Sequence, residues 1–242
     1  MTAAPPPVRA VLFDKDGTLF GFQETWAPWA AALLRGLARD EGHAARLAAA
    51  LRFDPVRVRF APDSPAVAGT IADQVAILLP HLPDWDGATL EAHLAATAAE
   101  AHPVPVGDLV ALLERLRNMG LGIGVATNDG IVPARRHLAN ARIDGLVDWV
   151  AGYDSGHGAK PEAGMLLAFA RDAGLDPAAV AMVGDSLHDL HAARAAGMRA
   201  VGVLTGTASR ADLAPHAETV LETIAALPDW IGSGPPQALG TR

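Results

Sequence analysis

The sequence predicts an α/β fold in which helices cover both faces of a parallel sheet and a separate group of helices interrupts the chain once. Five short apolar runs are each followed by a helical pattern of apolar residues, and about a hundred residues separate the first run from the second. Half of the 242 residues are hydrophobic but only 5% are aromatic, so Ala, Leu and Val must build most of the core. Because short buried strands that alternate with helices form parallel sheets, the pattern predicts a three-layer, Rossmann-like core.

The elements of this core follow one another in a regular order. The predicted strands are residues 10–13, 121–126, 147–152, 180–183 and 199–203. The predicted helices are residues 106–119, 133–140, 161–173 and 187–196. Several of them are followed by a glycine, namely Gly120, Gly174 and Gly197, which is a common residue at helix ends.

The long gap after the first strand predicts an inserted, all-helical cap domain at residues 20–101. Alanine-rich stretches with helical spacing fill this gap, at 26–40, 44–52, 66–79 and 89–100. Gly21 before the insertion, and Pro103, Pro105 and Gly107 after it, are suitable hinge residues. The α/β core is then expected at 1–19 and 102–242, with loose tails at 1–7 and 232–242 that are rich in small residues and proline.

The composition excludes several classes of function. The chain has no cysteine, which rules out disulfides, thiolate metal sites and cysteine nucleophiles. Its formal net charge of -8 repels phosphate backbones, so we expect no nucleic acid partner. No segment resembles a signal peptide or a membrane span, so we expect a cytoplasmic protein without a membrane partner, as a monomer or a homodimer.

Polar residues follow four of the five predicted strands. They are Asp14-Lys15-Asp16-Gly17-Thr18, Thr127-Asn128, Lys160-Pro161, and Gly184-Asp185-Ser186 with Asp189. Because the carboxyl ends of parallel strands meet at one edge of the sheet, we expect these residues to converge. Asp14, Asp16 and Asp185 would repel one another there unless a divalent cation neutralised them, and oxygen ligands favour Mg²⁺.

Each of these groups also has a purely structural interpretation. Asp14 to Gly17 could form a turn in which the aspartate accepts hydrogen bonds from local amides. Thr127 could cap the helix that follows it, and Lys160 could be a solvated surface charge. Asp189 could favour the amino end of its own helix. The order of the four groups at successive strand ends favours a shared functional role.

The four groups resemble the four motifs of the haloacid dehalogenase superfamily in order and spacing. DKDGTL at 14–19 is similar to the first motif, Thr127 to the second, Lys160-Pro161 to the third, and GDSLHDLHAARAAG at 184–197 to the fourth. The resemblance extends over residues 8–230. The insertion is similar to the helical C1-type cap of the phosphoglycolate-phosphatase-like branch of that superfamily.

The resemblance implies a Mg²⁺-dependent phosphatase that forms an aspartyl-phosphate intermediate. Asp14 would be the nucleophile and Asp16 the general acid and base. The phosphoryl group would be bound by Thr127, Asn128 and Lys160, of which Thr127 and Lys160 also take part in catalysis. Mg²⁺ would be bound by Asp14, by the backbone carbonyl of Asp16 and by Asp185, with Asp189 orienting these ligands.

Departures from the family's pattern bear on the substrate. Phe20-Gly21-Phe22-Gln23 stands where many phosphoglycolate phosphatases carry an Asp-Ser pair after DGTL, which argues against phosphoglycolate itself. Lys15 replaces a commonly apolar residue between the two aspartates. Gln23 and Glu24, just past the hinge, are expected to bind the substrate, whereas Trp26 and Trp29 are expected in the core of the cap.

Two other functions stay open. A phosphomutase or phosphotransferase acting on a sugar phosphate would use the same groups, but the cap has no cluster of Lys or Arg near its first hinge to hold a second phosphate. A non-catalytic phosphate-binding module would need only the backbone oxygen of Asp16, so its carboxylate favours an enzyme. The expected partner is a small phosphorylated metabolite, which the sequence does not identify.

Overall fold

The structure is a computed structural model that describes residues 6–233 and contains one six-stranded and one two-stranded sheet. In chain order the strands are β1 (Ala10–Phe13), β2 (Phe53–Asp54), β3 (Arg59–Phe60), β4 (Gly122–Ala126), β5 (Trp149–Ala151), β6 (Val180–Gly184), β7 (Arg199–Val203) and β8 (Thr219–Leu221). The α-helices are α1 (Phe22–Leu37), α2 (Glu41–Ala50), α3 (Ile71–Leu78), α4 (Gly87–Ala99), α5 (Leu109–Asn118), α6 (Ile131–Asn140), α7 (Gly164–Asp172), α8 (Leu187–Ala196), α9 (Arg210–Leu213) and α10 (Leu227–Gly232). None of the helices between residues 6 and 233 combines the length and the hydropathy that a membrane span requires.

The large sheet is parallel throughout, with the strand order β5-β4-β1-β6-β7-β8. This confirms the predicted α/β core, and each of the five predicted strands is present with small shifts at its ends. The sequence analysis missed β8, a three-residue strand at the edge of the sheet whose side chains are only partly buried. So short an edge strand leaves no apolar run long enough to recognise.

Helices cover both faces of this sheet because the side chains of each strand alternate between them. In β1, Val11 and Phe13 belong to the apolar cluster on one face, and Ala10 and Leu12 to the cluster on the other. Residues of α5 and α6 complete the first cluster, and residues of α7 and α8 complete the second. Because all four β1 side chains are buried, the strand has a continuous apolar sequence.

The insertion has an apolar core of its own. Helices α1 to α4 pack around buried side chains that include Trp26, Leu47, Phe60 and Leu90. The buried members of this cluster all lie between Phe22 and Ala101. We propose, as the sequence predicts, that residues 20–101 form a cap domain on the α/β core.

The expectation of an all-helical insertion is wrong between α2 and α3, where β2 and β3 pair in the antiparallel direction. Phe53 lies opposite Phe60, and their two buried rings have centroids 5.0 Å apart. Gln23 of α1 binds β3 through both backbone groups of Phe60: its Oε1 accepts from the amide at 2.9 Å and its Nε2 donates to the carbonyl at 3.1 Å. Two-residue strands are too short to produce a recognisable alternation in the sequence.

Capping side chains set the beginnings of the helices more closely than apolar spacing does. α3 begins after Thr70, which forms a capping box with Asp73, so residues 66–69, which were predicted to be helical, lie outside the helix. α8 begins where predicted, because Ser186 and Asp189 form a second capping box. The predicted loose tails at 1–7 and 232–242 lie almost entirely outside the described residues.

Candidate active site

The candidate site lies at the carboxyl ends of three adjacent strands, β4, β1 and β6. The strand order reverses beside β1, which leaves a crevice outside the strand ends where ligands bind in open α/β sheets. Asp14 follows β1, Thr127 follows β4, and Asp185 follows β6. The fold therefore brings together the strand ends that carry the predicted site residues.

Lys160 connects the acidic side chains of the site. Its buried ammonium lies 2.5 Å from Asp14 Oδ1, 2.6 Å from Asp189 Oδ1 and 2.9 Å from the carbonyl oxygen of Ala126. These three acceptors match the three hydrogens of an ammonium group. Burial alone lowers the pKa of Lys160, but the Asp14 and Asp189 carboxylates raise it above its ordinary value, so the group stays charged.

Asn128 holds the loop that carries Lys160. Its side-chain oxygen accepts from the Lys160 amide at 2.8 Å, and its Nδ2 donates to the Lys160 carbonyl at 2.9 Å. The same Nδ2 lies 2.9 Å from the carbonyl oxygen of Ala68 in the insertion. Because the side chain is engaged in this way, the backbone amide of Asn128 is the group suited to the predicted phosphoryl contact.

Three buried carboxylates face one another beside Lys160. Carboxylate oxygens of Asp14, Asp185 and Asp189 all lie within 4.8 Å of one another. Burial raises the pKa of Asp14 to about 7, and Lys160 offsets this only in part. Burial, followed by the charges of Asp14 and Asp189, also raises the pKa of Asp185. One ammonium for three carboxylates leaves excess negative charge, and an all-oxygen donor set of this kind fits Mg²⁺.

Two of these carboxylates have different surroundings, which suit different roles towards a metal. Asp189 Oδ2 accepts from the Ser186 amide at 3.0 Å and from its hydroxyl at 2.6 Å, while Oδ1 accepts from Lys160. Asp185 accepts a long hydrogen bond of 3.3 Å from the hydroxyl of Thr18. Asp185 is therefore the better direct ligand, and Asp189 is held where it can orient the ligands around it.

Two glycines allow the backbone to close around Asp185. Gly17 has a φ of 91°, and a Cβ built on it would lie 2.4 Å from Asp185 Cγ. A Cβ built on Gly206, in the loop after β7, would lie 1.6 Å from Asp185 Oδ2. The hydroxyl of Thr205 donates to the Gly17 carbonyl at 2.6 Å. The β7 strand end therefore also belongs to the site, which the sequence analysis missed although a glycine just past a strand was a visible signal.

Asp16 and Thr127 face the same crevice. Both carboxylate oxygens of Asp16 lie close to the Lys15 ammonium, at 2.8 and 2.9 Å. Thr127 Oγ1 accepts from the Asp129 amide at 3.0 Å, so its hydroxyl hydrogen can donate to a ligand oxygen. The residues predicted from the core motifs that line this crevice are Asp14, Asp16, Thr127, Asn128, Lys160, Asp185 and Asp189.

A cleft of about 690 Å³, including its open mouth, separates these core residues from the insertion. On the insertion side it is lined by aromatic rings, including Phe22, Trp26, Trp29 and Phe60, and by Gln74 of α3. The Gln74 side chain is only 9% exposed, and its Oε1 has no hydrogen-bond partner among residues 6–233. Nothing in the sequence distinguished Gln74, because it lies far along the chain from the motifs and within an ordinary amphipathic pattern.

The structure corrects the expectation that Gln23 and Glu24 bind the substrate. Gln23 uses its side chain to hold the backbone of Phe60. Glu24 is exposed and lines a different groove, on the outer side of α1. Both point away from the cleft because they lie on other faces of α1 than Phe22 and Trp26, which do line it. Trp26 lies in the core of the insertion, as expected, and also borders the cleft.

A second buried polar group lies behind Asp16. Lys15 contacts Asp129 and His137 in addition to Asp16. Asp129 directly follows Thr127-Asn128, so its position past β4 was a usable signal in the sequence. His137 lies two turns into α6, and nothing in the sequence distinguished it from an ordinary helix residue.

Comparisons with known proteins agree with this geometry. The family model of haloacid dehalogenase-like hydrolases matches residues 8–197. The phosphoglycolate phosphatase of Rhodospirillum rubrum is 29% identical over 250 residues, which cover 97% of this chain and 94% of that protein. The enolase-phosphatase E1 of Azotobacter vinelandii is also 29% identical, over 81% of this chain and 89% of that protein.

Solved structures show the same fold. CbbY from Rhodobacter sphaeroides, crystallised in complex with phosphate, matches 91% of this chain and 96% of its own with a TM-score of 0.66 and 21% identity. A HAD phosphatase from Thermococcus onnurineus matches 94% of this chain and 100% of its own, with a TM-score of 0.61 and 22% identity.

Proposed function

Because the chain belongs to the haloacid dehalogenase-like hydrolases, in their phosphoglycolate-phosphatase-like branch, we propose that it is a Mg²⁺-dependent phosphatase. It hydrolyses a small phosphorylated metabolite through an aspartyl-phosphate intermediate. The observation that supports this most strongly is the contact of the Lys160 ammonium with Asp14 and Asp189, beside Asp185, at the carboxyl ends of β1 and β6. A buried lysine among three carboxylates is suited to holding a phosphate dianion next to a carboxylate nucleophile.

In the first half of the reaction a carboxylate oxygen of Asp14 attacks phosphorus. The bond from phosphorus to the ester oxygen breaks, and Asp16 gives its proton to the departing alcohol. The Thr127 hydroxyl binds a phosphoryl oxygen, and the positive charge of Lys160 beside it lowers the repulsion between the phosphate and the attacking carboxylate.

In the second half water attacks phosphorus of the aspartyl phosphate. Asp16, now a carboxylate, takes a proton from that water. The bond between phosphorus and the Asp14 oxygen breaks, inorganic phosphate leaves, and both aspartates return to their starting states. The insertion covers the crevice during these steps and limits access of bulk water to the intermediate.

Mg²⁺ would be held by Asp14, by the backbone carbonyl of Asp16 and by Asp185, with Asp189 orienting them. When bound, the ion supplies the positive charge that the acidic cluster lacks and binds phosphoryl oxygens. Asp189 already has both oxygens in hydrogen bonds to Lys160 and Ser186, which agrees with a supporting role.

The insertion side of the cleft favours an uncharged leaving group. Among the described residues that line the cleft, no Lys or Arg comes from the insertion. Its aromatic rings suit an apolar body, and the buried amide of Gln74 suits a hydroxyl or amide on the departing alcohol. This surface disfavours phosphoglycolate, whose leaving group carries a carboxylate, and a sugar bisphosphate, which a mutase would have to hold by its second phosphate.

Phosphate release tests the proposal directly. Purified full-length protein is expected to release phosphate from p-nitrophenyl phosphate with Mg²⁺, to stop with excess EDTA, and to resume when Mg²⁺ is restored. Asp14→Asn is expected to lose at least about 10³-fold in kcat with an unchanged circular dichroism spectrum. Asp172→Asn, at an exposed aspartate remote from the cleft, is the matched control and should retain full activity. Turnover that survives in Asp14→Asn would refute the assignment of the nucleophile.

A further inference from the structure

Lys15 is a lysine with no exposed surface, between the two aspartates of the first motif. Its ammonium lies 2.8 Å from Asp16 Oδ2 and 2.9 Å from Asp16 Oδ1, so it contacts both oxygens of that carboxylate. It also forms an ion pair with Asp129 Oδ2 at 3.1 Å and lies 3.0 Å from His137 Nδ1. The ring of Trp26 covers it, with its centroid 5.1 Å from Nζ. A charge so fully buried is stable only because these groups surround it.

The partners of His137 define its protonation. Its Nε2 lies 3.1 Å from the carbonyl oxygen of Ala98, which can only accept, so Nε2 carries the hydrogen. Nδ1 therefore has a free lone pair that accepts from the Lys15 ammonium. Burial, and then the Lys15 charge, lower the pKa of His137 to about 4, which agrees with a neutral ring.

These contacts form a continuous chain from the insertion to Asp16. Ala98 is at the end of α4 in the insertion, His137 is on α6 of the core, and Lys15 follows β1. Asp16, the general acid and base of the proposed reaction, is thus bound to the ammonium of Lys15. Lys15 is in turn connected to the insertion through the imidazole of His137. In the cluster of Asp14, Asp185 and Asp189 the corresponding cation is Lys160. The two lysines therefore contact the two aspartates of the first motif separately, Lys160 with Asp14 and Lys15 with Asp16.

We propose that Lys15 is a positioning residue that fixes the orientation of the Asp16 carboxylate, and that His137 ties this orientation to the position of the insertion. The inference rests on the proposed phosphatase function. Contact with both carboxylate oxygens fixes the plane of the group as well as its distance, and a displacement of about 1 Å at a proton-transferring group can cost on the order of 10²-fold in rate.

Two esters that differ in leaving group test this role. Departure of p-nitrophenolate needs no proton, whereas departure of a simple alkoxide from an alkyl phosphate does. The parameter to compare is kcat/KM, because it includes the steps up to alcohol departure and excludes the hydrolysis of the aspartyl phosphate, which both esters share. Lys15→Met keeps an unbranched stem as far as the ε position and removes the ammonium. We expect it to lower kcat/KM for the alkyl phosphate about 10- to 100-fold more than for p-nitrophenyl phosphate.

Further variants separate positioning from folding. Lys15→Met leaves Asp129 buried without a cation, so the double variant Lys15→Met/Asp129→Asn removes that charge as well. It should show the same difference between the two esters and a higher free energy of unfolding than Lys15→Met alone. His137→Phe has a ring of similar volume and removes the contacts with Lys15 and with the Ala98 carbonyl. It should change the ratio of kcat/KM between the two esters in the same direction, by a smaller factor. Asp16→Asn removes the proton-transferring group itself, so it should show the largest difference in kcat/KM between the two esters and serves as the upper reference.

The outcomes are distinguishable. If the folded Lys15 variants lose activity equally on both esters, the positioning role is wrong and Lys15 is only structural. If His137→Phe leaves the ratio unchanged, the connection to the insertion is wrong. If wild-type protein cleaves neither ester with Mg²⁺ present, the proposed phosphatase function itself fails.

Discussion

The two walls of the cleft are built on different principles. On the core wall two lysines pair with aspartates, Lys160 with Asp14 and Asp189, and Lys15 with Asp16, at distances between 2.5 and 2.9 Å. Asp185 has no such cation among the described residues and accounts for the excess negative charge. On the insertion wall the surface is aromatic, and its one buried amide, in Gln74, has an oxygen without a partner among the described residues. Closed networks fix geometry, whereas an unsatisfied polar atom in an apolar surface favours whatever ligand satisfies it.

Because of this difference, we expect the core wall to carry out the reaction and the insertion wall to select the substrate. The core wall is assembled from the ends of β1, β4, β6 and β7 and from the loop after β5 that carries Lys160, so a substitution there disturbs several loops at once. The insertion wall depends on a few side chains that can change without affecting those loops. We therefore expect substitutions at Asp14 and Lys160, which face the phosphoryl group, to reduce the rate for all phosphate esters. Substitutions on the insertion wall should change the preference among esters through contacts with their leaving groups.

After loss of the nucleophile itself, the largest effect is expected for Lys160→Met. The change removes the positive charge that we propose stabilises the phosphoryl group, and it leaves Asp14 and Asp189 without their cation. We expect kcat to fall about 10²- to 10³-fold on every ester tested, at saturating Mg²⁺. Arg171→Met removes an exposed cation from a surface ion pair and is the matched control, with no expected change. A Lys160→Met variant with more than a tenth of wild-type kcat would contradict the central role of the core wall.

The excess negative charge of the core wall predicts a pH effect on stability in metal-free buffer. Because burial raises the pKa of Asp14 from 3.8 to about 7, the folded state binds a proton that the unfolded state releases between these values. This contribution to stability is present at pH 4 and is lost as the pH rises to 7. Asn at this position does not titrate. We therefore expect Asp14→Asn to gain on the order of 2 to 3 kcal/mol in free energy of unfolding, relative to wild type, between pH 4.5 and pH 7.

Urea unfolding of both proteins in EDTA at the two pH values measures this difference. Saturating Mg²⁺ should reduce the relative gain at pH 7, because the ion stabilises the ionised wild-type carboxylate. If the difference in free energy of unfolding between Asp14→Asn and wild type did not change with pH, the charge of Lys160 would already compensate Asp14 fully. The acidic cluster would then have no deficit of positive charge for a metal to fill.

The sequence predicted the core wall far better than the insertion wall, for a physical reason. Asp14, Thr127 and Asp185 each directly follow a buried parallel strand, and the geometry of such a sheet requires these strand ends to meet. Lys160 lies further along the loop after the partly buried strand β5, and its motif with Pro161 identified it. Gln74 has no comparable constraint, because its position depends on how α3 packs against α4 and α2. The side chain of Gln23 was expected to bind the substrate because it is near the hinge. Instead it is held by the backbone of Phe60 in the β2–β3 pair, which the sequence did not reveal.

The smallest effect is expected for Gln74→Leu, which tests the insertion wall alone. Leucine has a similar size and cannot hydrogen-bond, so it fits an apolar leaving group and fails to satisfy a hydroxyl. We expect kcat/KM for a hydroxylated alkyl phosphate to fall about 10-fold, the equivalent of roughly 1.4 kcal/mol. For p-nitrophenyl phosphate, whose ring needs no such donor or acceptor, we expect a change of less than about twofold.

Gln23→Leu is the matched control, because it makes the same substitution at the other glutamine of the insertion, which binds the backbone of Phe60. It removes the two hydrogen bonds to the Phe60 backbone, so it should lower the free energy of unfolding by about 1 to 3 kcal/mol. It leaves the Gln74 amide in the cleft and should therefore affect both esters by the same factor. If Gln23→Leu changed the preference between the esters and Gln74→Leu did not, recognition of the leaving group would depend on the position of the Phe60 ring, and the insertion wall would select by shape alone.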